Sequence, residues 1–449
     1  MKNSTNTILL LLGIILVTTN CNSDVEVLED IQIPKGADAV AYNNAVTYNM
    51  VDYGADNEGK VDCSTSFNRI LTEIKSNNVK YVDIYFPPGR YKVSRRLVFN
   101  SESFKGFDVH KGFIFRGAGE DVTELVCDND AGVLSFNVNT NLFTATIKDL
   151  SFVTARDGKG AAIQFNTTDG KNAGDHHSRM LQVKNVLIRG EKFNQGHFKN
   201  GILCYNAWYP LIDNVKITSR YGPDSKNYKM NIGMLFEDSY SPLVTNSYFW
   251  GTASYGFLYR RVNLPVDQGP EDGIIKDSYF VGQDHGIYVD LKDYNYWTEP
   301  AFHVTNCHIN YQKNGVFLKG VRQGFITNNL FYCLNKAGSK FLNNNDPLEA
   351  YYSVDINCHY ATDLIISNNQ FQEPSTLKRA AIDISSRSAN ISINDNIFNC
   401  EGIGIRNSST KTSYAVNNIF GGTPNFTGSG VNLTRYVDNA GGLKIVDIQ

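Results

Sequence analysis

The chain has 449 residues, with 42 lysines and arginines against 45 aspartates and glutamates, and a formal net charge of −3. A nearly neutral chain without blocks of like charge is not typical of a protein that binds nucleic acid through bulk electrostatics. The 37 glycines, 25 tyrosines and 26 phenylalanines suit many short strands joined by tight turns.

The N-terminal segment has the features of an export signal. An apolar run from Ile8 to Val17 is too short to cross a bilayer as a helix, and small residues separate it from Cys21. This arrangement resembles a bacterial lipoprotein signal. We therefore expect residues 1–20 to be removed, Cys21 to carry a lipid that anchors the exported protein to the outer membrane, and residues 21–44 to form a tether. Plain secretion is the alternative.

The cysteines predict neither a disulfide framework nor a zinc site. Seven of the eight cysteines follow Cys21, and no two of them have the spacing Cys-X-X-Cys. An odd number without paired spacing is more typical of buried apolar side chains, with at most one disulfide among them.

One helix is predicted ahead of the repeated strands. In STSFNRILTEIKSNN, residues 64–78, Phe67, Ile70, Leu71 and Ile74 recur at helical spacing, and a serine or threonine at its start could cap it. A stack of strands needs its open end covered. We therefore expect this helix to close the N-terminal end of the fold.

A short pattern recurs ten times between residues 147 and 420. It consists of an aliphatic residue, any residue, Asn or Asp, two residues, and then Phe or Ile. The Asn or Asp positions are Asp149, Asn185, Asn214, Asn246, Asp277, Asn306, Asn328, Asn368, Asp395 and Asn417. Asparagine tolerates left-handed turns, and its amide can bond to the same residue above and below.

A second unit precedes most copies: glycine or alanine, then four to six residues that alternate between apolar and other side chains. Strands with an asparagine turn at a fixed place describe a coil that stacks on itself. We predict an all-β fold, a single-stranded parallel β-helix of about ten coils over residues 45–449. A propeller would need four antiparallel strands per ~40 residues, and the leucine-rich consensus is absent.

Aligning the strands that follow each glycine or alanine predicts which side chains point outward. Their first apolar residues are Ile163, Ile202, Met234, Phe257, Ile287 and Val316. If these face the core, the second and fourth residues face outward. The second residues, here the apolar row, are Gln164, Leu203, Leu235, Leu258, Tyr288 and Phe317. The fourth residues, here the charged row, are Asn166, Tyr205, Glu237, Arg260, Asp290 and Lys319. Together the two rows predict a carbohydrate-binding floor.

Within the charged row, Glu237 and Asp290 are candidates for a catalytic acid and base. They lie two coils apart, so their backbones should be about 9–10 Å apart, at the upper edge of the carboxylate spacing of inverting glycoside hydrolases. One would protonate the leaving oxygen and the other would activate water. Arg260 between them could hold a carboxylate or sulfate. Further substrate contacts are expected from Tyr205, Tyr288 and Lys319. The alternative is a ladder of surface ion pairs that satisfies itself.

Two loops add candidates. The segment after the first of these strands contains Asp175, His176 and His177, and the loop after Arg260 contains Glu271. The histidines could serve proton transfer, a metal site or only a solvated loop. We expect substrate contact and no metal, because no third ligand lies at a recognisable spacing. Glu271 would be a further catalytic carboxylate on the wall of the groove.

Two segments within residues 49–94, VDYGADNEGKVDCSTSFNRIL and VDIYFPPGRYKV, resemble the N-terminal signature of the pectate-lyase-like superfamily. That superfamily includes polygalacturonases, polysaccharide lyases, some epimerases and phage tailspike depolymerases. The resemblance implies a right-handed parallel β-helix, and it leaves the reaction open because this fold hosts many chemistries. The chain departs from the signature at Cys63, where the family often has aspartate.

The segment GQDHGIYVD, residues 282–290, resembles the His-Gly-hydrophobic start of a strand in polygalacturonases and singles out His285. The carboxylate motifs that accompany this histidine there are missing, since the preceding coils read NIGMLFE and SYGFLYR. The resemblance therefore does not imply a polygalacturonase. His285 is either catalytic in another reaction or a turn residue that leads into a strand.

Three functions stay open. The first, which we expect, is hydrolysis of an acidic or sulfated polysaccharide by the carboxylates named above. The second is a polysaccharide lyase, in which Arg260 or Lys319 would neutralise a uronate carboxylate and His285, Tyr288 or Lys319 would act as base. The third is a surface protein that binds glycans without chemistry. No resident cofactor is expected, and calcium would be involved only in a lyase.

Overall fold

The structure is a computed structural model that describes residues 45–104, 111–139, 143–167, 179–192, 196–221, 229–263, 272–292, 300–334, 353–372, 380–399, 403–421, 437–439 and 443–446. Cys21 and the rest of the N-terminal segment lie outside this part of the chain, so the lipid anchor stays a prediction. Among the residues described, no helix is long and apolar enough to cross a membrane.

The described residues form 33 β-strands and one α-helix. The helix, α1, spans Ser64–Ser76. The strands are β1 (Val46–Asn49), β2 (Glu58–Asp62), β3 (Tyr81–Tyr85), β4 (Gly89–Val93), β5 (Leu97–Asn100), β6 (Lys111–Arg116), β7 (Thr123–Cys127), β8 (Gly132–Val138), β9 (Phe143–Thr154), β10 (Lys159–Thr167), β11 (Arg179–Gly190), β12 (Phe198–Tyr205), β13 (Leu211–Thr218), β14 (Met230–Glu237), β15 (Leu243–Thr245), β16 (Tyr248–Trp250), β17 (Ala253–Arg260), β18 (Ile274–Lys276), β19 (Tyr279–Asp290), β20 (Ala301–Thr305), β21 (His308–Val321), β22 (Gln323–Thr327), β23 (Leu330–Cys333), β24 (Val354–Ser367), β25 (Gln370–Gln372), β26 (Ala380–Ile384), β27 (Ala389–Asn394), β28 (Ile397–Asn399), β29 (Ile403–Asn407), β30 (Ser413–Val416), β31 (Ile419–Gly421), β32 (Val437–Asn439) and β33 (Leu443–Val446).

Neighbouring coils pair their strands in parallel, and the pairings form three faces along the stack. Face 1, which carries the two predicted rows, consists of β5, β8, β10, β12, β14, β17, β19, β21, β24, β26, β29 and β32. Face 2 includes β13, β15, β18, β20 and β22, and face 3 includes β13, β16, β19, β21 and β23. Long strands such as β19 and β21 turn a corner and serve two faces. The predicted parallel β-helix is confirmed.

The ten predicted turn residues all adopt the left-handed conformation, with φ between 50° and 58°. Asparagine and aspartate tolerate this region better than other residues that carry a Cβ. Asn185 donates from Nδ2 to Oδ1 of Asp149 at 2.8 Å, and Asn214 repeats the contact with Asn185 at 2.9 Å. The recurring residue therefore marks one corner of each coil, as predicted.

A second asparagine ladder runs inside the stack, one residue after those turns. Nδ2 of Asn329 donates to Oδ1 of Asn369, Asn369 donates to Asn396, and Asn396 donates to Asn418, each at 3.0 Å. Buried amides without partners would destabilise the fold. The ladder satisfies them coil by coil, which holds neighbouring coils in one register.

Helix α1 packs its apolar face on the core, as predicted, but it begins differently. Phe67 and Ile70 are fully buried, and the Phe67 ring lies 6.3 Å from that of Phe115. The expected serine or threonine cap is wrong. Cys63 occupies the cap position and makes no side-chain cap. Ser64 already lies in the first turn, where its backbone N–H donates to Oδ1 of Asp62 at 3.3 Å.

The cysteines are buried, as predicted. The described ones are Cys63, Cys127, Cys204, Cys307, Cys333 and Cys358, and none of these six forms a disulfide. Burial raises the pKa of the Cys63 thiol to about 12. These thiols behave as apolar core residues.

Candidate functional site

The charged row lies on face 1 in the predicted register. Tyr205 is paired with Glu237, Glu237 with Arg260, Arg260 with Asp290, and Asp290 with Lys319, on β12, β14, β17, β19 and β21. One strand therefore separates Glu237 from Asp290, which corresponds to about 9–10 Å between their backbones. The alignment of glycine-led strands predicted these neighbours correctly.

Each carboxylate of the charged row contacts a cation on the next strand. Oε2 of Glu237 accepts from Nε and Nη2 of Arg260 at 2.7 and 2.6 Å. Nζ of Lys319 lies 3.1 Å from Oδ1 of Asp290. The pKa of Tyr205 is raised mainly by burial and to a smaller extent by the charge of Glu237. The geometry is that of a ladder of ion pairs.

The apolar row is less exposed than predicted. Leu203, Leu235 and Leu258 point away from the core, yet their exposed fractions are only 8%, 1% and 5%. They pack against one another and against outward tyrosines such as Tyr205 and Tyr255. The expectation of an open apolar floor along these coils is therefore wrong, because larger outward side chains from both sides cover the leucines.

A bend at each glycine creates a third outward row. A Cβ on Gly286 would lie 2.7 Å from Cγ2 of the core residue Ile309, so the glycine faces the core. Ile287 after it is also fully buried. Because Gly286 and Ile287 both face the core, the alternation of inward and outward residues along the strand is interrupted. His285 before them therefore faces outward, on the same side as Tyr288 after them. The residues just before the glycines, here the histidine row, are Asn200, Ile232, Tyr255, His285 and Asn314.

His285 is enclosed by aromatic rings and by an amide. Its ring stacks on that of Tyr255 with centroids 5.1 Å apart and meets the ring of Tyr288 edge-on at 5.0 Å. Nδ2 of Asn314 lies 3.0 Å from Nδ1 of His285. Burial lowers the pKa of His285 to about 4, and Lys313 and Lys229 add to this effect while Asp284 opposes it. The imidazole is therefore neutral at neutral pH.

Two lysines share one carboxylate next to His285. Nζ of Lys229 lies 2.7 Å and Nζ of Lys313 lies 3.0 Å from the same oxygen of Asp284, Oδ2. The Asp284 side chain is only 12% exposed, whereas the lysine side chains are 35% and 34% exposed. Two ammonium groups therefore converge on one partly buried carboxylate, and that carboxylate directly precedes His285 in the chain.

Tyr288 extends the site toward later coils. Burial, with smaller contributions from Tyr255 and Asp290, raises the pKa of Tyr288 to about 12. Its ring stacks on Phe317 at 4.2 Å and 4°, and Phe317 stacks on His359 at 5.6 Å. Tyr288 is therefore a protonated phenol within an aromatic surface that spans three strands.

Three predicted site residues, Glu271, His176 and His177, lie outside the described part of the chain. Their roles stay predictions. Within the described ranges, no group of three or more His, Cys, Asp and Glu side chains could hold a metal ion.

Sequence reasoning missed several residues around His285. Strict alternation assigns Tyr255 and Asn314 to the core, since each lies two positions before an inward residue. Asp284 and Lys313 each lie two residues before a strand glycine, whereas Lys229 lies four residues before Gly233, so no shared offset identifies all three. One signal was available: the residue before each strand glycine is repeatedly polar or aromatic, as in SYG, DHG and KNG.

Comparison with known proteins identifies a family for this architecture. Residues 47–339, more than half of the chain, match the model of a family described as rhamnogalacturonase A/epimerase, pectate lyase-like. The matched span contains the charged row and the histidine row. No curated protein matches the chain.

Several solved structures share the fold at low sequence identity. The A-module of mannuronan C-5 epimerase AlgE6 from Azotobacter vinelandii has a TM-score of 0.60 and 13% identity, over 90% of this chain and 99% of that one. The AlgE4 A-module from the same organism gives 0.55 and 14%, over 89% and 100%. Tailspike protein 3 of bacteriophage CBA120 gives 0.55 and 11%, over 89% of this chain and 61% of that one.

Proposed function

The chain belongs to the rhamnogalacturonase A/epimerase, pectate lyase-like family, and from this premise we propose that it is an exported polysaccharide lyase that cleaves a uronate polymer on face 1. Its fold is also that of mannuronan C-5 epimerase modules, whose named substrate is a uronate polymer. The observation that carries the proposal is a neutral imidazole, His285, that lies beside a protonated phenol and next to a carboxylate contacted by two lysines.

The lysine pair supports recognition of a carboxylate. Lys229 and Lys313 both contact Asp284, the residue before His285, so a uronate carboxylate that approaches His285 comes near two ammonium groups. Because the imidazole of His285 is neutral, it can donate a hydrogen bond to the uronate carboxylate while the lysines supply the positive charge. A partly buried cluster of this kind binds an anion more strongly than exposed lysines do, because solvent screens it less.

Elimination needs the C5 proton of the uronate removed and the oxygen on C4 expelled. In the proposed step, the phenol oxygen of Tyr288 takes the C5 proton while its own proton passes to the leaving glycosidic oxygen. The C5 electrons form the C4–C5 double bond as the C4–O bond breaks with its electron pair. Tyr288 ends as the neutral phenol it was before. His285 and the lysines stabilise the negative charge that develops on the carboxylate.

Hydrolysis by Glu237 and Asp290 is the second candidate. It is favoured by the register, which places the two carboxylates on face 1 with one strand between them. It is disfavoured by the ion pairs of both carboxylates, since the acid and the base would have to share their oxygens with Arg260 and Lys319. We therefore rank it below elimination.

The carboxylates give a direct way to separate the two reactions. For a lyase, we expect Glu237→Gln and Asp290→Asn each to lower the rate less than about tenfold, because each variant loses one ion pair to which solvent has access. Hydrolysis would instead lose about 100-fold or more without its acid or base. Initial rates on one uronate polymer measure the difference. Asp383→Asn, which loses a similar ion pair with Arg406 on later coils of face 1, is the matched control.

His285→Gln is expected to lower the rate of elimination about 100-fold, because it replaces a ring N–H held in one position by a flexible amide. The pKa of about 4 means that wild-type His285 is neutral above that pH. A second proton would occupy Nδ1 and break the contact with Nδ2 of Asn314 that holds the ring. Wild-type activity should therefore fall as the pH approaches 4, and the variant should lack that dependence. Rates between pH 4 and 8, with His308→Gln on face 3 as the control, check both points. Equal pH profiles for wild type and variant would contradict the role of His285.

The reaction itself is tested by incubating the purified full chain with polygalacturonate, alginate and glucuronate-containing polymers. Reducing ends and ultraviolet absorbance are followed together, because elimination creates a conjugated double bond and hydrolysis does not. A rise in both on one polymer supports the proposal, and reducing ends alone would establish hydrolysis. Inversion at C5 without chain cleavage, detected by proton NMR, would identify an epimerase and overturn the lyase.

A further inference from the structure

Two asparagines form a hydrogen-bonded relay that ends on His285. Nδ2 of Asn357, on β24, donates to Oδ1 of Asn314 at 3.3 Å. Nδ2 of Asn314, on β21, lies 3.0 Å from Nδ1 of His285 on β19. The relay therefore crosses three adjacent strands of face 1, and it approaches His285 on one ring nitrogen.

The chemistry of amides gives this relay one direction. An amide nitrogen only donates and an amide oxygen only accepts. Because Asn357 donates to Oδ1 of Asn314, the nitrogen of Asn314 is the atom that faces the imidazole. Nδ1 of His285 must then accept. In a neutral imidazole the single ring proton is consequently on Nε2. The Nε2–H is therefore the group with which His285 can donate to a ligand.

We propose that Asn314 is a positioning residue that holds His285 as an Nε2–H donor, so that His285 binds the substrate carboxylate and does not accept the C5 proton. This inference rests on the proposed elimination. It deepens that proposal because it excludes His285 from the proton-transfer step and leaves that step to Tyr288. Without the relay, a neutral histidine could present either an N–H or a lone pair to the substrate.

The surroundings of His285 reinforce this arrangement. Lys229 and Lys313 contact Asp284, the residue before His285, and the rings of Tyr255 and Tyr288 lie against the imidazole. A proton added to Nδ1 would be repelled by the N–H of Asn314, and the positive charge it adds to the ring would be repelled by Lys229 and Lys313. The relay and the lysines thus disfavour the same state, the doubly protonated ring.

The tautomer is measured on the free protein by nitrogen-15 NMR of the labelled histidine rings, with His285→Gln used to assign the signal. We expect an unprotonated Nδ1 and a protonated Nε2 at neutral pH. In Asn314→Asp, the acceptor-only carboxylate should move the proton to Nδ1 and raise the pKa of the imidazole. The matched control is Asn200→Asp, which adds the same charge to the histidine row at a position three strands away from His285.

The activity of the same variants tests the positioning role. Asn314→Asp should lower elimination about 100-fold or more, because a wrong tautomer disables a histidine that is otherwise intact. Asn200→Asp should stay within about threefold of wild type. A shifted tautomer with full activity in Asn314→Asp would overturn the proposal, and so would a wild-type ring protonated on Nδ1.

The relay and the elimination reaction can each be rejected without the other. Nitrogen-15 spectra that give the expected tautomer, with no elimination on any uronate polymer, would retain the relay and reject the lyase. Elimination with a wild-type proton on Nδ1 would retain the lyase and reject the relay. Thermal unfolding of each variant verifies that Asn314→Asp keeps the native fold.

Discussion

Tyr288→Phe is expected to lower kcat for elimination about 1,000-fold with little change in KM. The substitution removes a single oxygen and keeps the ring that meets His285 at 5.0 Å and stacks on Phe317 at 4.2 Å. Burial raises the pKa of Tyr288 to about 12, so the hydroxyl carries its proton at neutral pH and can pass it to the leaving oxygen. Phenylalanine can neither give nor take a proton.

The measurement is the initial rate of ultraviolet absorbance on the polymer that wild type cleaves. Tyr279→Phe is the matched control, since Tyr279 is a tyrosine on β19 as well, but it lies on face 3 with 49% of its surface exposed. The control should keep the wild-type rate. If Tyr288→Phe keeps more than a tenth of that rate, another group transfers the proton and the proposed step is wrong.

The parts of the fold that could be predicted are those repeated once in every coil. Asn214 and Asn246 signal a left-handed corner because few residues with a Cβ accept φ near 50°. Met234 and Phe257 signal the inward side because they recur after a glycine. The shared spacing then fixes which outward residues are neighbours across the strands, and this is why the pairing of Glu237 with Arg260 was predicted correctly.

The parts that could not be predicted depend on how one coil differs from the next. Leu235 is outward but covered, and only the sizes of its neighbours on adjacent coils show this. Lys229 follows a long connection from face 3, whereas Lys313 lies within β21, so no common offset predicts that both reach Asp284. His285 was singled out by resemblance, but its outward direction follows from the bend at Gly286, which strict alternation does not anticipate.

Gly233→Val is expected to prevent the chain from reaching its native fold. A Cβ on Gly233 would lie 2.3 Å from Cε1 and 2.5 Å from Cδ1 of Phe249, and 2.6 Å from the backbone oxygen of Gly256. Phe249 is fully buried, so its ring has no free space to move into. The γ-methyl groups of valine add to this overlap. We expect loss of soluble, protease-resistant protein in comparison with wild type.

A smaller substitution keeps the test quantitative when the valine variant does not fold. Gly233→Ala should lower the free energy of unfolding by about 2–3 kcal/mol, measured by guanidinium denaturation. Gly196→Ala is the control, because its Cβ would lie 3.4 Å from the nearest atom, and we expect a change within about 0.5 kcal/mol.

The same bend places the histidine row, since Gly286 repeats the position of Gly233 two strands later. If Gly233→Ala unfolds at the wild-type guanidinium concentration, the core accepts a side chain there. The steric reason for glycine at the bend would then be lost, and with it the explanation of why His285 faces outward beside Tyr288.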